Sequence, residues 1–342
     1  MNTLPTELLS SIIQCLRPSG SPVAIPATHE VTKALLALTS VSSRIRSLAA
    51  PYLYDYCLYI DSPSRLQLLL RTLCSQADIL RNEEHAFRES AGDKSLGPFL
   101  RDRGHGVLKS LYLAPFTQDT IKEPPVVQMI ASLFEIISPC LTRLVIDMPL
   151  RSLYPEEDIS GPRSVLNEAF QRLTALEEFT SAQDELFLDT LVAEQDVIVR
   201  QPLVWRMWPR LKHLALYNVD VDSQRFRISL EKLQNLEVIV LTRADGEQDA
   251  STSSLLSIKS LKRVLIVNTK SCHPRFPVIT GSPQTLTKSE RYGSRIPEIV
   301  RISVPIIDEE EAQDIEVCLL WTRDKAMNGQ LWDEPAASLS SS

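Results

Sequence analysis

Leu211-Lys212-His213-Leu214-Ala215-Leu216 returns twenty-five residues later as Leu236-Glu237-Val238-Ile239-Val240-Leu241, and after the same step as Leu261-Lys262-Arg263-Val264-Leu265-Ile266. Each copy reads apolar-x-x-apolar-x-apolar. Its alternating second half is the mark of a strand, because successive side chains point to opposite faces of a sheet. Working outward, the same wording occurs upstream at Leu108-Leu111-Leu113, Leu141-Leu144-Ile146 and Leu176-Phe179-Ser181, and downstream at Ile299-Ile302-Val304. The starts are separated by 33, 35, 35, 25, 25 and 38 residues. Helical stripes fall between them: Val127, Ile130, Leu133, Phe134 and Ile137, then Val165, Leu166, Ala169, Phe170 and Leu173. Short strands alternating with helices predict an α/β fold, in which stacked units bury their inward side chains as one apolar spine.

The wording and the 25-residue steps resemble leucine-rich repeats, whose strand-and-return units run about 20–29 residues. The asparagine usual in that repeat is missing: the position eight after each start holds Phe116, Pro149, Asp184, Val219, Ala244 or Thr269. With no such side chain for the backbone groups of the turn, the array over 53–306 is expected to be irregular. A generic α/β domain whose strands share the wording is the alternative. In a horseshoe of such units, the residue between the last two apolar positions faces the concave side. These residues are Tyr112, Val145, Thr180, Ala215, Val240 and Leu265. Exposed, so apolar a strip would be a substrate-binding surface; a different register, or a C-terminal helix across it, would make it interior. Trp205 and Trp208, beside Arg206 and Arg210, are a second candidate anchor, since Trp and Arg dominate binding hot spots. Packing ahead of Leu211 accounts for them equally well.

Residues 1–52 read as three short helices. Pro5 suits a first turn, where its missing N–H leaves no acceptor unfilled, and Glu7 complements the helix dipole. Leu8, Ile12 and Leu16, with Leu9 and Ile13, form one broad apolar face. Arg17-Pro18-Ser19-Gly20-Ser21-Pro22 ends the helix as a loop. Val31, Leu35 and Leu38 mark a second helix; Val41, Ile45, Leu48 and Tyr52 mark a third, closed or bent by Pro51. So small a module does not cover its own faces, and its apolar surplus must dock on the rest of the chain or on a partner.

Leu4-Pro5-x-Glu7-Leu8-Leu9-x-x-Ile12-Ile13-x-x-Leu16, followed by Leu35-x-x-Leu38-x-x-Val41-Ser42-x-Arg44-x-Arg46-x-Leu48, resembles the F-box. The continuation Ala50-Pro51-Tyr52-Leu53-Tyr54 resembles the way fungal F-box proteins enter their repeats. Ile45 stands where many F-boxes carry tryptophan, and the loop from Arg17 to Lys33 reads as a tolerated insertion, longer and richer in proline than is usual there. The resemblance implies that Leu4, Pro5, Leu8, Leu9, Ile12, Leu16, Leu38 and Val41 bind a Skp-type adaptor and, through it, a cullin scaffold. On that basis the chain is expected to be a substrate receptor of a cullin–RING (SCF-type) ubiquitin ligase, with an unknown protein substrate on the repeat domain. A binding scaffold without a ligase role is the alternative, and three core helices of an unrelated α-rich domain would show the same stripes.

The remaining segments fill in the plan. Leu53-x-x-Tyr56-x-Leu58-x-Ile60 alternates as a strand, and Leu66, Leu69, Leu70 and Leu73 make a helix stripe. Residues 81–106 and 268–297 read as a loop insertion and a long loop. Over 307–334, Asp308-Glu309-Glu310-Glu311 opens a helix sharing a face of Ile315, Cys318, Leu319 and Thr322, expected to cap the last unit. Residues 335–342 read as a disordered tail.

Across 342 residues, 44% are hydrophobic, ample for a core, and the formal charge of −7 disfavours nucleic acid as the main partner. The start lacks a basic stretch followed by an apolar one, and no run approaches the ~20 apolar residues of a membrane span, so cytoplasm or nucleus is expected. Six scattered cysteines contain no C-x-x-C pair, and the five histidines have no metal-ligand spacing. The sequence holds no nucleophile elbow, P-loop or dinucleotide fingerprint. No catalytic residue, metal or cofactor is expected.

Overall fold

A computed structural model describes residues 4–18, 20–74, 108–116, 120–154, 158, 161–188, 191–194, 197–200, 202–245, 255, 258–269, 297–306 and 314–333. The chain opens with helices α1 (Thr6–Gln14), α2 (Glu30–Thr39) and α3 (Ser43–Tyr56). The Ser42 side chain accepts the Ile45 N–H and caps α3. This helix runs through Pro51 to Tyr56, so the strand expected from Leu53 shrinks to β1 (Tyr59–Ile60). Proline removes one hydrogen-bond donor, and the packing of Leu48, Tyr52 and Leu53 on the core of the three helices outweighs that loss.

Helix α4 (63–74) follows, burying Leu66, Leu69, Leu70 and Leu73 as their spacing predicts. Then come β2 (Ser110–Leu113), α5 (Pro124–Ile137), β3 (Arg143–Ile146), α6 (Pro162–Gln171) and β4 (Glu178–Ser181). A hairpin of β5 (Leu191–Glu194) and β6 (Val197–Arg200), not foreseen, interrupts the series. The chain continues with β7 (His213–Tyr217), α7 (Gln224–Glu231), β8 (Val238–Thr242), β9 (Arg263–Thr269), β10 (Glu298–Val304) and α8 (Asp314–Met327).

Eight strands form one sheet in the order β1-β2-β3-β4-β7-β8-β9-β10, all parallel. Parallel neighbours require a crossover, and the sequential order steps each crossover the same way along the sheet. Leu111, Leu144, Phe179, Leu214, Ile239 and Val264 lie in register across six strands, as the recurring wording predicts. They join the larger core, between the sheet and the helices on its outer side. Phe134, Phe170, Phe179 and Trp208 meet edge-to-face within it, at centroid separations of 5.0, 6.4 and 4.8 Å.

The last copy departs from the expected register. Ile299, not Ile302, pairs with Val264. A shift by an odd number of residues turns the strand over, so Val300, Ile302 and Val304 join the second core, on the opposite face of the sheet. Helix α8 lies across that face of the sheet rather than only against its last strand. It packs along β9, β10, β8 and β3, with Cys318, Thr322 and Ala326 buried. Of its expected shared face, Cys318 and Thr322 are buried while Ile315 is exposed. Residues 81–106, 308–311 and 335–342, and all of 268–297 but its ends, lie outside the described residues.

Candidate functional site

The three N-terminal helices enclose a small core of their own. Ile13, Leu35 and Ala49 are buried, and Leu16, Val31, Leu38, Ile45, Leu48, Tyr52 and Leu53 pack around them. On α1 this leaves a second apolar row. Leu8 and Ile12 are one helical turn apart, and Leu4 continues the line just ahead of the helix. They are 52%, 54% and 50% exposed, against 2% for Ile13. The helix period explains the split: residues four apart share a face, while Ile13 is turned about 100° from Ile12. Of the residues the F-box resemblance singles out, Leu4, Pro5, Leu8, Ile12 and Val41 are exposed. Leu9, Leu16 and Leu38 are half-buried, the last two against the module core. The Arg44 guanidinium donates to the Thr6 hydroxyl, fastening the start of α3 to the start of α1. An open groove of about 500 Å³ separates α2 and α3 from β1 and α4, with exposed Leu36 and Leu68 among its lining residues.

The row expected to meet a substrate is a true row. Tyr112, Val145, Thr180, Ala215, Val240 and Leu265 are paired strand to strand across the sheet. All six are buried, however, on the face that α8 covers. They are therefore not an open strip. Polar contacts fix the cover over them. Thr242 and Thr322 share a hydrogen bond of 3.0 Å, and the Tyr217 hydroxyl donates to the Ile315 carbonyl at 2.9 Å. Asp147 accepts from the Tyr112 hydroxyl (3.1 Å), the Gln183 amide (2.6 Å) and the Arg323 guanidinium (3.3 Å). Burial, then the nearby Asp147 charge, pushes the Tyr112 hydroxyl far up, so it remains a donor.

Trp205 and Trp208 are likewise interior. The Trp208 indole donates to the Phe170 carbonyl at 2.8 Å, and Trp205 packs edge-on against Phe226. An indole whose N–H is satisfied inside the core is a packing element, not a docking anchor.

The sequence reading also missed a structural role. The loop between α1 and α2 is more than an insertion: Val23, Ala24 and Ile25 are buried, the first two in the core beneath α8. An apolar triplet between Pro22 and Pro26 was the available signal.

Among the described residues, no three His, Cys, Asp or Glu side chains come together as a metal site, and no helix is long and apolar enough to cross a membrane. Burial pushes the Cys140 thiol up to about 11 and raises that of Cys57, the reverse of what a nucleophilic thiolate needs. No family model and no curated protein matches this sequence.

Proposed function

We propose that the chain is an F-box-type substrate receptor, with an irregular leucine-rich-repeat-like array behind its N-terminal helices. The observation that carries this reading is the apolar row Leu4, Leu8 and Ile12, left exposed by a helix whose adjoining side is already packed. Contiguous exposed apolar surface marks an interaction site, and this one falls on the residues that resemble the adaptor-binding part of an F-box. The sequential order of the parallel strands supports the repeat reading. The receptor would act by position: a substrate held near the ligase is modified through raised effective concentration, with no catalytic group from this chain. With α8 in place the buried row is closed to the substrate, whose site then lies elsewhere on the array.

Co-purification with a Skp-type adaptor tests the reading, beside a Leu8→Asp, Ile12→Asp variant. Wild type should retain the adaptor, and a cullin with it. The variant should lose both while keeping its circular dichroism spectrum, since an unpaired carboxylate is costly to bury in an interface. Folded wild type that retains no adaptor refutes the proposal. Adaptor bound without cullin points to a scaffold.

A further inference from the structure

The loop between α1 and α2 meets the turn after α8, residues some three hundred positions apart in the chain. The Val23 N–H donates to the Met327 carbonyl at 2.7 Å, and the Ile25 N–H to the Tyr56 carbonyl at 2.6 Å. The same loop therefore holds the end of α8 with one residue and the end of α3 with another. Arg143, at the start of β3, reaches it from the sheet: Nη2 donates to the Ser21 carbonyl (2.6 Å) and Nη1 to the Pro22 carbonyl (3.3 Å). Gly329 closes the contact from the other side. Its φ of +69° suits glycine, and an added Cβ would collide with the Ser21 carbonyl oxygen.

Glu178 joins these parts. One carboxylate oxygen accepts from Arg143 Nε at 3.1 Å and from the Trp332 indole at 3.0 Å. His213 stacks obliquely on Trp332, with ring centroids 5.1 Å apart. Burial raises the Glu178 carboxyl, but contact with His213 and the Arg143 guanidinium lowers it by more, keeping it ionised. The His213 Nδ1 lies 3.6 Å from the carboxylate, too long for a full hydrogen bond, so Arg143 is the firmer partner.

The three helices they serve have a separate core, with Tyr54 reaching from α3 into the main one. We propose that residues 20–25 and 327–332 form a clasp that fixes the orientation of α1–α3 on the sheet. Opening it frees those helices as a unit, while the sheet stays folded. The clasp acts whatever the helices bind, so it stands apart from the adaptor reading.

Hydrogen exchange on the full chain tests it, comparing wild type with Gly329→Val and Arg143→Gln. In both variants the amides of Val23 and Ile25 should exchange about tenfold faster or more, as local opening predicts. Those of α2, α3 and strands β3, β7 and β8 should keep their wild-type rates. Spin labels on exposed Cys15 and Cys74, with the remaining cysteines changed to alanine, should give one narrow distance in wild type and a broad distribution in the variants. If Gly329→Val fails to fold, Arg143→Gln decides, because it removes the guanidinium's contacts to Ser21, Pro22 and Glu178 without adding a clash. Unchanged protection at Val23 and Ile25 would overturn the clasp, as would an unchanged distance distribution. Simultaneous loss of protection throughout the sheet would overturn it too.

Discussion

Asp184 sits at the turn after β4 and is 1% exposed. Its Oδ1 accepts the Leu186 N–H at 2.8 Å, and its Oδ2 accepts the Arg151 N–H, from the preceding unit, at 3.2 Å. The side chain thus satisfies backbone groups of two neighbouring turns, which its position in the sequence alone did not reveal. Burial, with the neighbouring Glu185 charge, pushes the carboxyl up to about 7 against the pull of those N–H groups. An unfolded aspartate has lost its proton by about pH 4, whereas the folded protein keeps this one to about pH 7. The resulting stabilisation is present below about pH 4 and is lost as pH rises through 7. Urea unfolding at pH 5 and pH 8 should therefore show wild type losing on the order of 2–3 kcal/mol more than Asp184→Asn over that window. Equal losses would assign the titration to another group.

At the scale of one element, α1 holds two adjacent isoleucines in opposite situations. Ile13 is 2% exposed in the module core, and Ile12 is 54% exposed. Ile13→Ala should cost about 2–4 kcal/mol by leaving a cavity, while Ile12→Ala should stay within about 0.5 kcal/mol. Denaturant midpoints on the two variants check this, and equal costs would place Ile12 in the core. The sequence shows only one broad apolar face here, because both rows are apolar and periodicity does not separate a surface already packed from one still open. Strand β10 repeats the lesson. Both its parities carry branched apolar residues, so the wording alone left the register undetermined and the strand lies the other way up.

At the scale of the molecule, the sheet is buried on both faces: by α4–α7 on the outside, and by α8 with the 20–25 segment on the inside. A chain ending at Ile306 would uncover Tyr112, Val145, Ala215, Val240, Leu265 and Val300 together. Burying Val145, Val240, Leu265 and Val300 is worth about 1.5–3 kcal/mol each, so their sum alone rivals a typical domain stability of about 5–15 kcal/mol. The truncated protein should bind a hydrophobic dye strongly and associate, as dye fluorescence and light scattering would register. A monomeric, dye-silent product would mean that the cover is dispensable.

The sequence by itself marked six strands of the sheet and the residues that pair across them, because period-two alternation recurring every 25 to 35 residues in the same wording puts equivalent positions side by side. It also marked one broad apolar face on the first helix, to be covered by the rest of the chain or by a partner. Only the tertiary structure decided that the row from Tyr112 to Leu265 is closed, that Trp205 and Trp208 are interior, and that Val23 meets Met327. The reason is physical: a local pattern records which side chains avoid water, whereas what keeps the water out is supplied by residues far away in the chain.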